Sequence, residues 1–123
     1  MPDTNARYLR PELFPELPSV AAIDVSFISL KLILLPVLSC LSKPGEIVAL
    51  IKPQFELTPK QVPGGIVKSE EYRQEAVSGL RQFLKEKTAP QFQVEDAGII
   101  ESPLKGAKGN IEYLWHITLP ALV

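Results

Sequence analysis

The chain has 123 residues, enough for one domain and not two. Its 13 Lys+Arg against 14 Asp+Glu leave a net charge of −1, which excludes both a basic arm that holds nucleic acid by charge alone and an acidic tail protein. With 46% hydrophobic residues it can bury a core, and its one cysteine, Cys40, permits no internal disulfide, which points to a reducing, cytoplasmic compartment.

Residues 1–19 carry Pro2, Pro11, Pro15 and Pro18, a density that leaves an irregular N-terminal segment ahead of a domain over 20–123. Val20 to Val25 is a short apolar run broken by Asp24, which reads as a strand buried on both faces. Val25 to Ser42 is the most apolar stretch. Lys31 and Pro36 interrupt it, and Asp3, Glu12, Glu16 and Asp24 precede it where a secretory signal needs a basic start. It reads as a buried helix and not as a membrane span. Leu30, Ile33, Leu34, Val37, Leu38 and Leu41 form one apolar stripe, with Ser29 as N-cap. Leu32 and Leu35 lie off the stripe, which predicts some cover on a second side.

The turn Ser42-Lys43-Pro44-Gly45 leads to a second buried strand, Glu46 to Ile51, stopped by Lys52-Pro53. Thr58 to Gly65 is a loop. A helix starts at Ser69 with Glu70 and Glu71 in its first turn and Lys85 and Lys87 in its last, the charge order that suits the helix dipole. Phe92 to Glu101 and Ile111 to Leu119 read as strands, joined through Ser102 to Asn110 without a helix and therefore antiparallel. The first three strands fit right-handed crossovers into a parallel sheet. The expected fold is an α/β sheet of about four strands flanked by helices.

Ligands of open α/β sheets bind beyond the carboxyl ends of the strands. Asp24 and Lys52 stand at two such ends. Glu112 opens the last strand and, if that strand is antiparallel, lies at the same edge. Singly, an acid at a strand end is ordinarily a turn or cap residue and a lysine is ordinarily solvated. The convergence of three charged residues by topology is what marks the edge as a site. His116 has no second His or Cys at metal spacing, so no metal is expected. Cys40 on its apolar helix reads as buried. No G-x-G-x-x-G or P-loop pattern occurs, and Gly64-Gly65, Gly106 and Gly109 read as turns. Lys105 and Lys108 could reach RNA phosphates, although surface lysines are the ordinary reading.

DVSFISL (Asp24–Leu30), KPQFE (Lys52–Glu56) and GNIEYL (Gly109–Leu114) resemble the TlyA, or hemolysin-A-like, family, as does TNARYL (Thr4–Leu9). The likeness runs from Thr4 to Leu119. It implies an FtsJ-like, Rossmann-type fold that transfers methyl groups from S-adenosylmethionine to ribose 2′-hydroxyls of ribosomal RNA in the cytoplasm, without a metal. The family's reaction uses a Lys-Asp-Lys-Glu tetrad. Asp24 matches its aspartate, Lys52 its second lysine and Glu112 its glutamate, and Asp24, Ser26 and Phe27 would contact the cofactor. The family's RNA-binding domain, first tetrad lysine and Gly-rich cofactor loop have no counterpart in this sequence. The resemblance therefore implies the C-terminal half of the methyltransferase sheet, with strands in the family's spatial order four, five, seven, six and the seventh antiparallel. Such a half is expected to be inactive alone. Its first strand would have an open edge that pairs with a second copy, with the missing N-terminal half, or with residues 1–19. The alternative is a non-catalytic interaction module that dimerises through that edge. One departure falls at Gln61–Val67, where the family has a lysine between glycines and this chain has Pro63-Gly64-Gly65.

Overall fold

A computed structural model describes residues 19–25, 28–42, 44–88 and 94–120. Strand β1 is Val20–Ile23, and a 3-10 turn at Leu30–Leu32 leads into helix α1, Leu34–Ser39. Strand β2 is Gly45–Ile51, helix α2 is Glu70–Thr88, and strands β3 and β4 are Glu95–Glu101 and Tyr113–Leu119. Residues 1–18 of the expected irregular segment 1–19 and the predicted strand start at Phe92 lie outside the described residues.

The four strands form one sheet in the order β1-β2-β4-β3. β1 runs parallel to β2, with Ile23 opposite Ala49. β4 is antiparallel to both neighbours, with Ile51 opposite Tyr113 on β2 and Glu101 opposite Tyr113 on β3. This is the α/β fold expected, including the antiparallel last pair and the strand order that the resemblance implied. The final strand fits between β2 and β3, and an extra residue in β3 at Asp96–Gly98 shifts the register there.

The expectation of strands buried on both faces is not met. Burial alternates along β2, with Ile47, Ala49 and Ile51 inside and Val48 40% exposed, and Val20 of β1 is 59% exposed. Right-handed crossovers that step in one direction across a sheet place both helices on the same face. Leu34, Val37 and Leu38 of α1 and Val77, Leu80 and Leu84 of α2 accordingly join Ile47, Trp115 and Ile117 in one cluster. The other face, with Val20, Val48 and Ile100, stays open among the described residues.

The predicted helix of Leu30–Leu41 is also divided. Every residue of the stripe is buried, but the chain forms a 3-10 turn first and becomes α-helical only at Leu34. Pro36 explains the break. Its missing N–H is harmless in the first turn of a helix and disruptive further in, so the α-helix starts where Pro36 falls in that first turn. Leu35 gains partial cover, whereas Leu32 remains half exposed. Cys40 is buried, as expected.

Candidate functional site

The site is built at one edge of the sheet by chain direction. β1 and β2 are parallel, so Asp24, just past β1, and Lys52, just past β2, leave at the same edge. β4 runs the other way, so Glu112, just before it, enters there. The Lys52 Nζ lies 2.6 Å from Asp24 Oδ1, with the lysine side chain 15% exposed and the aspartate 67% exposed. The ammonium is thus largely sheltered while its counter-charge faces outward.

Glu112 is 5% exposed. Its Oε2 accepts a hydrogen bond of 2.9 Å from Gln54 Nε2. Gln54 belongs to a 3-10 turn, Pro53–Phe55, that begins directly after Lys52. The backbone hydrogen bond from Phe55 N to Lys52 O, 2.9 Å, tightens that turn. One short turn therefore carries Lys52 to Asp24 and Gln54 to Glu112. The remaining amide oxygen of Gln54 is buried with no hydrogen-bond partner. Gly106 leaves the room that Glu112 occupies. A Cβ on Gly106 would fall 1.9 Å from Glu112 Oε2, although the backbone there (φ −82°, ψ −165°) suits any residue.

A third arm of the same turn is Glu56. Its Oε1 accepts from Ser29 Oγ at 2.6 Å and its Oε2 from Leu30 N at 2.8 Å. Burial lifts the Glu56 carboxyl above its ordinary value, against the opposing pull of the Ser29 and Leu30 hydrogen bonds and the Lys31 charge.

The loops behind Glu112 are held by Asn110, itself buried. Its Oδ1 accepts from Val67 N at 2.9 Å, and its Nδ2 donates to Gly65 O at 2.8 Å and Ala107 O at 3.0 Å. Gly64 and Gly65 have positive φ and form the turns expected of them. Lys108, also at positive φ, donates from Nζ to Gly64 O at 2.7 Å, so its ammonium is engaged by the departing Gln61–Val67 loop. Lys105 is exposed.

The structure brings Asp24, Lys52 and Glu112 to one edge, as topology predicted. Ser26 and Phe27, the other expected cofactor contacts, lie outside the described residues. His116 sits away from the edge on the open face, its Nε2 3.2 Å from Glu46 Oε1. No group of three His, Cys, Asp or Glu among the described residues is arranged to hold a metal ion, and none of their helices is long and apolar enough to cross a membrane. Sequence reasoning missed Gln54, Glu56, Gly106 and Asn110. The first two and Asn110 lie inside the KPQFE and GNIEYL segments, but their partners are too distant in the chain for spacing to reveal them.

The family model for FtsJ-like methyltransferases matches residues 1–118. The chain is 39% identical over 114 residues to the 16S/23S rRNA (cytidine-2′-O)-methyltransferase TlyA of Mycobacterium tuberculosis (strain H37Rv), covering 91% of this chain and 41% of that protein. It is 37% identical to Hemolysin A of Brachyspira hyodysenteriae, covering 95% of this chain and 48% of that protein. A solved structure of a hemolysin candidate from Streptococcus thermophilus superposes with a TM-score of 0.86 at 38% identity, over 95% of this chain and 41% of that one. The chain thus spans less than half the length of each of these proteins.

Proposed function

Because the chain belongs to the FtsJ-like methyltransferase family, we propose that it supplies the Asp24–Lys52–Glu112 part of the active edge of a ribosomal-RNA ribose 2′-O-methyltransferase. The observation that carries this reading is the sheltered Lys52 ammonium 2.6 Å from Asp24, on a turn that also binds buried Glu112 through Gln54.

A ribose hydroxyl is a weak nucleophile and must lose its proton as it attacks. In this reading Lys52, once its ammonium has released a proton to solvent, would receive the proton of the hydroxyl. Asp24 holds Lys52 in place, and Glu112 fixes the far side of the turn through Gln54. S-adenosylmethionine would supply the methyl group together with its own leaving group. The donor set suits it: Asp24 presents a solvent-facing carboxylate at the sheet edge, able to balance a cationic ligand, and Ser26 and Phe27 follow in the same segment. The Gly-rich cofactor loop and the first tetrad lysine would come from outside these residues, so the reading includes inactivity of this chain alone.

The test is calorimetric titration of S-adenosylmethionine into the purified chain, with Asp24→Ala as control, followed by a methyl-transfer assay on ribosomal RNA. Binding that Asp24→Ala abolishes supports a working site. Absence of binding means that these residues do not form a cofactor site on their own. Binding that Asp24→Ala leaves unchanged refutes the assignment of Asp24.

A second reading rests on the open side of β1. Among the described residues this strand pairs only with β2 and exposes Val20. An unpaired edge of that kind recruits another strand, and the chain would then act as an interaction module that dimerises there. Light scattering at increasing concentration decides it, and a monomer throughout refutes it.

A further inference from the structure

We propose that Glu56 is a positioning residue that sets where Asp24 meets Lys52. The inference rests on the methyltransferase reading for its functional meaning and on geometry for its substance. Residues 23–30 and 49–56 are two equally long stretches of chain fastened to each other at three points. At the start, Ile23 pairs with Ala49 in the sheet. In between, Asp24 meets Lys52. At the end, Ser29 Oγ and Leu30 N both donate to the Glu56 carboxylate. Glu56 is held rigidly to Lys52, because Phe55 N bonds Lys52 O and Glu56 N bonds Pro53 O at 3.0 Å.

The sheet alone would not determine the path of the chain after Ile23. Asp24 is the first residue past β1, and beyond it Val25 and Ile28 are only partly buried against the core before Ser29. Glu56 adds a polar fastening at Ser29 and Leu30, and it does so from the same turn that carries Lys52. Both partners of the ion pair are thereby referred to one rigid body. The two hydrogen bonds to the carboxylate are charge-assisted, and the one from Leu30 N satisfies the first amide of the 3-10 turn at Leu30–Leu32. The side chain is partly buried, a placement that costs free energy unless such bonds are made.

The experiment uses the full chain in nuclear magnetic resonance, comparing wild type with Glu56→Ala. Two quantities are read: exchange of the Leu30 amide, and the Overhauser contact between the Lys52 side-chain methylenes and the Asp24 Hβ protons. Loss of a hydrogen bond to a charged acceptor should speed Leu30 exchange by about tenfold or more. The positioning role adds that the Lys52–Asp24 contact weakens, while the Ile47 and Trp115 amides in the sheet keep their wild-type protection. An unchanged Lys52–Asp24 contact overturns the proposal, since Glu56 would then only cap a helix. Equal loss of protection at Ile47 and Trp115 overturns it as well, since Glu56 would then only stabilise the fold. If Glu56→Ala does not fold, Glu56→Gln keeps one acceptor oxygen and carries the same test with a smaller effect. Neither readout needs cofactor, so binding of S-adenosylmethionine that Asp24→Ala leaves unchanged would refute the functional reading and leave the positioning role to be decided by the contact.

Discussion

Gly106→Ala is the sharpest perturbation that the site offers. The new methyl carbon would fall 1.9 Å from Glu112 Oε2 and 2.3 Å from its Cδ, distances that no contact tolerates. The backbone at Gly106 is extended, so alanine meets no φ penalty and the whole effect is steric. Glu112 must therefore move, and its hydrogen bond from Gln54 is broken. Overpacking of this kind costs about 1–3 kcal/mol, and a hydrogen bond to a charged group is worth about 1.5–3 kcal/mol. A smaller unfolded-state gain from replacing glycine, about 0.4–1 kcal/mol, opposes these terms. The expected loss is about 3 kcal/mol. Trp115, the single tryptophan and fully buried, reports unfolding by fluorescence in a urea titration. The decisive comparison is a double-mutant cycle with Glu112→Ala, which removes the clashing carboxylate. In that background Gly106→Ala should cost less than about 0.5 kcal/mol, the range of uncoupled surface changes. The same cost in both backgrounds refutes the packing of Gly106 against Glu112.

Leu34→Ala should cost about 2–5 kcal/mol in urea unfolding, because Leu34 is fully buried, whereas Leu32→Ala should stay within about 0.5 kcal/mol. Equal losses would mean that the division of the apolar stretch at Ile33 is wrong. The Glu56 carboxyl lies above its ordinary value in the folded chain, so between the unfolded and folded values the folded state holds a proton that the unfolded state has lost. Its contribution to stability is therefore complete below the unfolded value and declines as pH rises through the folded one. The stability of wild type relative to Glu56→Gln should fall as pH rises above the ordinary carboxylate value, and a rise there contradicts the sign. Arg81→Ala, which removes the partly exposed ion pair to Asp96, should change the urea midpoint by no more than about 1 kcal/mol equivalent. Asn110→Ala should loosen both loops that it holds, seen as faster exchange of the Val67 amide, and an unchanged rate there would refute its role as their fastening.

Much of the architecture was legible in residue order. The sequence pattern located α2 and three of the four strands to within a residue or two, and the apolar stretch that holds α1 but not its start, because the side chains that meet a core repeat with the local geometry of the chain. The meeting of Asp24, Lys52 and Glu112 at one edge needed only strand directions, and those followed from connection lengths: crossovers with helices are parallel and a helix-free connection is antiparallel. Tertiary structure decided the rest. An apolar run such as Ile47–Ile51 satisfies a strand covered on one face as well as one covered on both, and only the common side taken by α1 and α2 left Val48 outside. The start of α1 depended on where Pro36 could sit without losing a backbone hydrogen bond. The hydrogen bonds of Gln54 to Glu112 and of Glu56 to Ser29, and the room that Gly106 leaves, join residues far apart in the chain. Polar partnerships of that kind have no period, so residue order carries the groups while the packed fold alone determines which of them meet.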